Sequence, residues 1–268
     1  MDEIVDESLS YGGYTLVFEE KFEAEHLDRS SWNVELHAPG WVNEELQRYV
    51  DTEETIYLQN GLLHIRPIRS VLPDGRIAYR SGRISTRGKH EFRYGLFEAR
   101  LKVPQGKGFL PAFWLMTADE ACWGQWPVCG EIDICEVLGH EPRTSYGTLH
   151  YGLPHEEDQG RFHLSEGSFA EEFHIFSLEW LPRRIRWYVD GRLFHEAAQW
   201  FTAGEDGVRR PFPAPFDHEM YLILNLAVGG VWPGLPDETA DFDRAAFVAD
   251  YVRVYQKTRG AMEESAWK

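Results

Sequence analysis

The sequence predicts an all-β protein, a single antiparallel β-sandwich. Three observations lead there. Along the 268 residues, short segments of apolar alternation follow one another, each bounded by Gly, Pro or Asn-Gly-type turn signals. Aromatic residues make up 14% of the chain and stand beside 24 Gly and 14 Pro, a mixture of strand formers and turn formers. No segment of 12 or more residues holds a helical period.

The elements follow in order. Leu16–Phe22 alternates loosely. Tyr57–Pro67 reads as two strands around Asn60-Gly61, a strong hairpin signal. Arg93–Pro104 puts Phe97, Ala99, Leu101 and Val103 on one face, with Glu98, Arg100 and Lys102 on the other. Phe173–Leu181 and Arg184–Glu196 are further strands, the second turning at Asp190-Gly191, and the residues near His195–Phe201 allow a short helical turn. Tyr221–Gly230 is a continuous apolar run, the mark of a central strand, and Tyr251–Lys257 alternates again. With no repeat, linker or low-complexity block, residues 1–268 read as one domain.

Charge and targeting signals narrow the function. Hydrophobic residues at 43% and charged residues at 26% exclude a disordered or fibrous chain. The net charge of −17 argues against nucleic acid or an anionic membrane as partner, and disfavours a polyanionic substrate. No stretch approaches 18 apolar residues, and the acidic N-terminal segment does not read as a secretory signal. Cys122, Cys129 and Cys135 have neither zinc-pair spacing nor a disulfide framework; Cys122 and Cys129 could pair, or all three could be free thiols.

The most informative segment is Trp126–His140. Glu131, Asp133 and Glu136 fall within six residues of a strand-forming run that includes Ile132, Ile134 and Val137. In a regular strand Glu131 and Asp133 share a face, and Glu136 points to the other, the packed face of a sandwich. An unpaired carboxylate there costs several kcal/mol. One extra residue, Ile134 or Cys135, accommodated as a β-bulge, returns all three acids to one face. Three carboxylates on one face repel: at an effective dielectric of about 20, two charges about 5 Å apart cost roughly 3 kcal/mol. At least one is therefore expected to keep its proton near neutral pH. An ionised carboxylate beside a protonated one is what glycosidic-bond cleavage requires. A solvated acidic strand edge is the alternative. Trp114, Trp123 and Trp126 close by favour a carbohydrate site, since sugar rings stack on such faces.

Glu131-Ile132-Asp133-Ile134-Cys135-Glu136 resembles the E-x-D-x-x-E signature of glycoside hydrolase family 16, in its laminarinase-like branch. Further segments are similar to that family in the same order. They are Gly40–Gln47, Tyr79–Arg83, Pro111–Leu115, Gly147–Tyr151, Asn225–Gly230 and Asp250–Tyr255, so that the likeness spans about residues 14–257. The resemblance implies a β-jelly-roll of two curved antiparallel sheets with a concave substrate cleft. It implies retaining endo-hydrolysis of β-1,3-glucan, with β-1,3-1,4-glucan as a further substrate. Glu131 is implied as the nucleophile, Glu136 as the general acid/base and Asp133 as an assisting acid that orients Glu131. It implies sugar contacts for Asn43, Arg83, Trp114, Trp126, His150, Asn225 and Trp232, while Glu45 and Gln47 fit either a cleft or a structural role. It also implies an extracellular place of action, although no signal peptide is visible, and a monomer is expected.

Two positions depart from the family pattern. Glu44 stands where an amide is usual and adds charge near the cleft. No cofactor is expected for the chemistry, but the family often binds a structural calcium, through positions that correspond here to Lys21, Gly61 and Asp250. An ammonium cannot ligate calcium. The expectation is that Lys21 replaces the ion and pairs with Asp250. Alternative functions are a hydrolase or transglycosylase for another β-linked polysaccharide, or a non-catalytic glucan-binding protein; retention of all three acids disfavours the last.

Overall fold

The computed structural model describes residues 9–120, 124–203 and 207–257, and each element bounded within them is a β-strand. Numbered in chain order, the strands form two large antiparallel sheets. The back sheet runs β17 (Arg192–Ala197), β16 (Arg184–Val189), β15 (His174–Leu181), β10 (Gly95–Lys102), β21 (Phe247–Lys257), β5 (Leu62–Ile65) and β4 (Ile56–Gln59). β1 (Tyr14–Glu20) pairs with the length of β21 that β5 leaves free. The front sheet runs β14 (Glu156–His163), β13 (Thr144–Tyr151), β12 (Glu131–Glu136), β11 (Phe109–Thr117), β20 (Met220–Val228), β8 (Arg83–Ser85) and β2 (Asn33–Val34), with β9 (Glu91–Phe92) also on β20. A small third sheet joins β3 (Gln47–Tyr49), β7 (Ile77–Ser81) and β6 (Ile68–Val71), with β3 and β7 parallel. β18 (Thr202–Ala203) and β19 (Arg209–Arg210) form a short ribbon.

Local chemistry sets these elements. Asn60-Gly61 and Asp190-Gly191 both have positive φ at each residue and close two-residue hairpins, Gln59 pairing with Leu62 and Val189 with Arg192. β10 alternates as its sequence requires: Phe97, Ala99 and Leu101 are buried in the core between the sheets. Glu98 on the other face is also buried, because Tyr11 and Tyr251 both donate their hydroxyls to its carboxylate. β20 is buried along its whole length, as its apolar run predicts. Near His195–Phe201 no helical turn forms; Arg192–Ala197 instead continues as a strand because β16 is beside it to pair with.

The expected Lys21–Asp250 pair does not form. Lys21 lies 3.5 Å from Glu19, and Asp250 is taken by Arg100 at 2.6 Å. The reason is register: β10 lies beside β21 and sets Arg100 against Tyr251, next to Asp250. Cys129 and Cys135 are buried free thiols; Cys122 and Trp123 lie outside the described residues.

The bulge is the local feature that positions the acids. Across β11, Phe113 pairs with Cys135 and Trp114 with Asp133, leaving Ile134 without a partner. Across β13, three steps from Asp133 to Glu136 oppose two from Thr148 to Tyr146. Gly147 stands opposite the bulge, and a Cβ there would come within 2.4 Å of the Trp187 ring. That space lets fully buried Trp187 reach across from the back sheet and donate its indole N–H to the Asp133 carbonyl at 2.7 Å. Trp187→Phe removes the donor and leaves a buried carbonyl without it, at a cost of about 1–3 kcal/mol. The expected result is a lower melting temperature, at about 2–4 °C per kcal/mol for a chain of this class. An unchanged melting temperature would mean the bulge does not depend on this bond.

Candidate active site

The outer face of the front sheet carries a cleft of about 460 Å³. β12 brings Glu131 and Glu136 to its floor, and β13 supplies Tyr146 and His150. Trp126 forms one side and Trp232, from the loop after β20, another; both are exposed, and the Trp232 ring packs edge-on against Tyr146 at 5.0 Å. Asn43 lines the cleft from a positive-φ position, and its carbonyl accepts the Val231 amide at 3.0 Å, tying two cleft loops together. The charged side chains on the lining are Glu45, Glu131, Glu136 and Glu157, with no Lys or Arg among the described residues there.

Asp133 sits between the two glutamates and is 2% exposed. Its side chain is hydrogen-bonded to that of Glu131, so this pair shares a proton. Its Oδ2 lies 3.2 Å from His150 Nε2, an ion-pair contact off the ideal hydrogen-bond line. All three carboxyls are held above the usual carboxylate range. Burial is the first cause in each. The charge of Asp133 adds to it for Glu131 and Glu136, His150 offsets both, and Glu136 is raised well above its ordinary value. Glu131, Asp133 and His150 each offer an atom within 4.8 Å of the others, a spacing a cation could use. Proton sharing and the histidine contact already account for that closeness.

A second cluster lies beside the acids. Arg83, on β8, is almost fully buried, bonds Glu35 at 2.5 Å, and stands 4.7 Å over the Trp114 ring and 5.3 Å over Trp41. Trp41 in turn stacks on His37 with centroids 3.5 Å apart. Burial alone would raise the Glu35 carboxyl, but the Arg83 charge and hydrogen bonds from Ser85, Arg83 and His37 hold it below its ordinary value. Asn225 is buried; it accepts the Trp114 indole N–H at 2.7 Å and donates to the Tyr49 hydroxyl at 3.1 Å. Arg83, Trp114 and Asn225 are therefore brought to one another rather than to the cleft lining, although the Arg83 charge reaches Glu131. Gln47 is structural: it accepts the Val228 amide at 2.7 Å and donates to Glu45 at 2.6 Å, which holds Glu45 on the cleft. Glu44 is exposed beside it, at positive φ.

Sequence reasoning did not single out Trp41, Tyr146, His155, Glu157 or Gln159. The last three come from β14 and the turn before it, a stretch with no apolar period to mark it.

The match to known proteins follows this geometry. Residues 37–251 match the family model described as "Glycosyl hydrolases family 16". The chain belongs to this family. It is 36% identical to a glucan endo-1,3-beta-glucosidase A1 of Niallia circulans, over 91% of this chain and 38% of that one, so it spans well under half of that relative's length. It is 35% identical to a glucan endo-1,3-beta-glucosidase of Cryptopygus antarcticus, over 92% and 93% of the two chains. Among solved structures, the endo-beta-1,3-glucanase of Pyrococcus furiosus is 39% identical, covers 95% of this chain and 99% of its own, and superposes with a TM-score of 0.78. This family 16 protein is thus a glycoside hydrolase with the jelly-roll fold, and the chemistry of the family needs no cofactor.

The raised carboxyls give a stability prediction. Between the unfolded and the folded pKa of Glu136 the native state binds the extra proton, so stability falls as pH rises from about 4.3 toward the folded value. Glu136→Gln removes that loss. The variant is expected to melt with the wild type at pH 4 and above it at pH 8. The gain is at most about 1.4 kcal/mol per pH unit crossed, reduced by the water that reaches the cleft. A variant less stable at pH 8 than at pH 4, relative to wild type, would contradict the shift.

Proposed function

We propose that the cleft binds β-1,3-glucan and cleaves it within the chain, with retention of anomeric configuration. The observation that carries this reading is the bulge that sets Glu131 and Glu136 on the floor of a cleft, with Asp133 buried between them, where every Asp, Glu, Lys or Arg on the lining is a glutamate. Such a lining suits a neutral polymer and repels sulfated or carboxylated ones. Two family relatives, from Niallia circulans and Cryptopygus antarcticus, are named for endo-1,3-β-glucan cleavage, which supports the same linkage here.

In this reading Glu131 attacks the anomeric carbon while Glu136, whose proton burial retains, protonates the leaving oxygen. The glycosyl–Glu131 ester is then hydrolysed by a water that Glu136 deprotonates. Asp133, bonded to Glu131, takes up the proton the pair shares and leaves Glu131 ionised for attack. Exposed Trp126 and Trp232 offer ring faces at the two sides of the cleft, Asn43 offers an amide, and His150 contacts the acids from the neighbouring strand. Arg83, Trp114 and Asn225 brace one another beside the cleft through their mutual contacts.

In this reading residues 1–268 act as one catalytic domain, and a polymeric substrate fits an extracellular place of action. No structural calcium is invoked, because Asp250 is already neutralised by Arg100 and Lys21 stands where an acid would be needed. A chelator is therefore expected to leave the melting temperature unchanged; a clear drop that calcium reverses would show an ion bound.

The functional test is a product assay on laminarin, lichenan and agarose. Reducing ends are expected from laminarin first, lichenan second and agarose not at all, with the β-anomer seen first by proton NMR. Glu131→Gln should keep the circular-dichroism spectrum and less than about 1% of the rate, since removal of a nucleophile costs orders of magnitude. Agarose cleaved in preference, or a well-folded Glu131→Gln with substantial activity, would overturn the assignment.

A further inference from the structure

His150 has two ring nitrogens, and both are engaged. Nε2 faces Asp133 Oδ2 at 3.2 Å, and Nδ1 lies 3.0 Å from Nε2 of His155. His155 comes from the turn between β13 and β14, lines the cleft, and stacks near-parallel on His150, with centroids 5.2 Å apart and 28° between the planes. Its ring also leans on Trp126 at 4.9 Å. Asp133 Oδ2 is buried and, among the described residues, has no well-aligned hydrogen-bond partner, so it needs a proton donor aimed at it.

For two neutral rings, proton bookkeeping fixes the direction of this chain. A neutral imidazole has one N–H and one bare nitrogen. If His150 is to point N–H at Asp133, its Nδ1 must be bare, and a bare Nδ1 needs a donor. His155 is that donor through Nε2–H. The reverse tautomer would set a bare Nε2 against the Asp133 carboxylate, lone pair against lone pair. The two rings cannot both be imidazolium either, because two N–H groups would then meet at 3.0 Å. The groups facing the pair are Glu131 and Asp133 from β12, Glu156 and Glu157 from β14, and Trp126.

We propose that His155 is a positioning residue of the hydrolytic site: by donating to His150 Nδ1 it fixes that ring as the Nε2–H tautomer, which aims an N–H at the Asp133 carboxyl beside Glu131. The proposal rests on the reading of Asp133 and Glu131 given above. Burial, the larger cause, holds His155 below its ordinary pKa, which favours the neutral ring that this donation uses.

Two variants separate the proton role from packing. His155→Phe keeps a ring against Trp126 and removes the donor. His155→Gln places an amide N–H near the position of Nε2. Imidazole nitrogen-15 shifts, which need no substrate, are expected to show His150 as a single Nε2–H tautomer in the wild type and in His155→Gln, and as a mixture in His155→Phe. On laminarin, kcat in His155→Phe is expected to fall about fivefold, the size of one neutral hydrogen bond, with its acidic limb moved to higher pH and KM within about twofold. His155→Gln should recover most of the loss. A wild-type tautomer and pH profile in His155→Phe would overturn the proposal, as would a pure KM effect or a His155→Gln as impaired as His155→Phe. If the wild type were inactive on every glucan, the functional reading would fail while the nitrogen shifts still judged the tautomer.

Discussion

The arrangement depends on one constraint, the parity of a β-strand. Side chains alternate, so acids at 131, 133 and 136 cannot share a face unless one residue is taken out of register. Ile134 is that residue, and the structure is built around it. Gly147 leaves room opposite the bulge, Trp187 crosses the core to bond the Asp133 carbonyl, and Ile134 and Cys135 pack inward instead of an acid. A sandwich with a thick apolar core can tolerate this because its two sheets share that core. The displaced backbone of one strand is met by a side chain from the other sheet.

The same displacement creates the electrostatics. Three carboxyls gathered on one face, Asp133 almost fully buried, cannot all ionise at modest cost. The fold answers with a shared proton between Glu131 and Asp133, a histidine against Asp133, and the Arg83 charge within reach of Glu131. Arg83 is itself held by Glu35 and sandwiched by Trp41 and Trp114, so its charge is fixed in place. The overall charge of −17 then has a local counterpart, a cleft whose lining is acidic and whose aromatic faces are neutral.

Much of this was legible in the sequence, because it rests on local chemistry. Asn60-Gly61 and Asp190-Gly191 specify their hairpins through residues that accept positive φ. The alternation of β10 and the apolar run of β20 specify faces and burial. The bulge was legible for a different reason: without it Glu136 would be buried unpaired. What was not legible depends on partners far along the chain. β14 is a polar edge strand with no apolar period, so His155, Glu157 and Gln159 carry no signal of their own. The pairing of Asp250 with Arg100 rather than Lys21 follows from strands 150 residues apart lying side by side. The parallel β3–β7 pair brings Gln47 under the cleft wall, and nothing in its three residues announces it.

The central claim is that the bulged strand presents Glu131 as a nucleophile. The most direct measurement is to trap the intermediate with a 2-deoxy-2-fluoro β-1,3-glucosyl donor bearing a good leaving group, and to locate the adduct by peptide mass spectrometry. The account predicts one covalent glycosyl group, carried by Glu131. An adduct on Glu136, or turnover with inversion and no adduct at all, would contradict it.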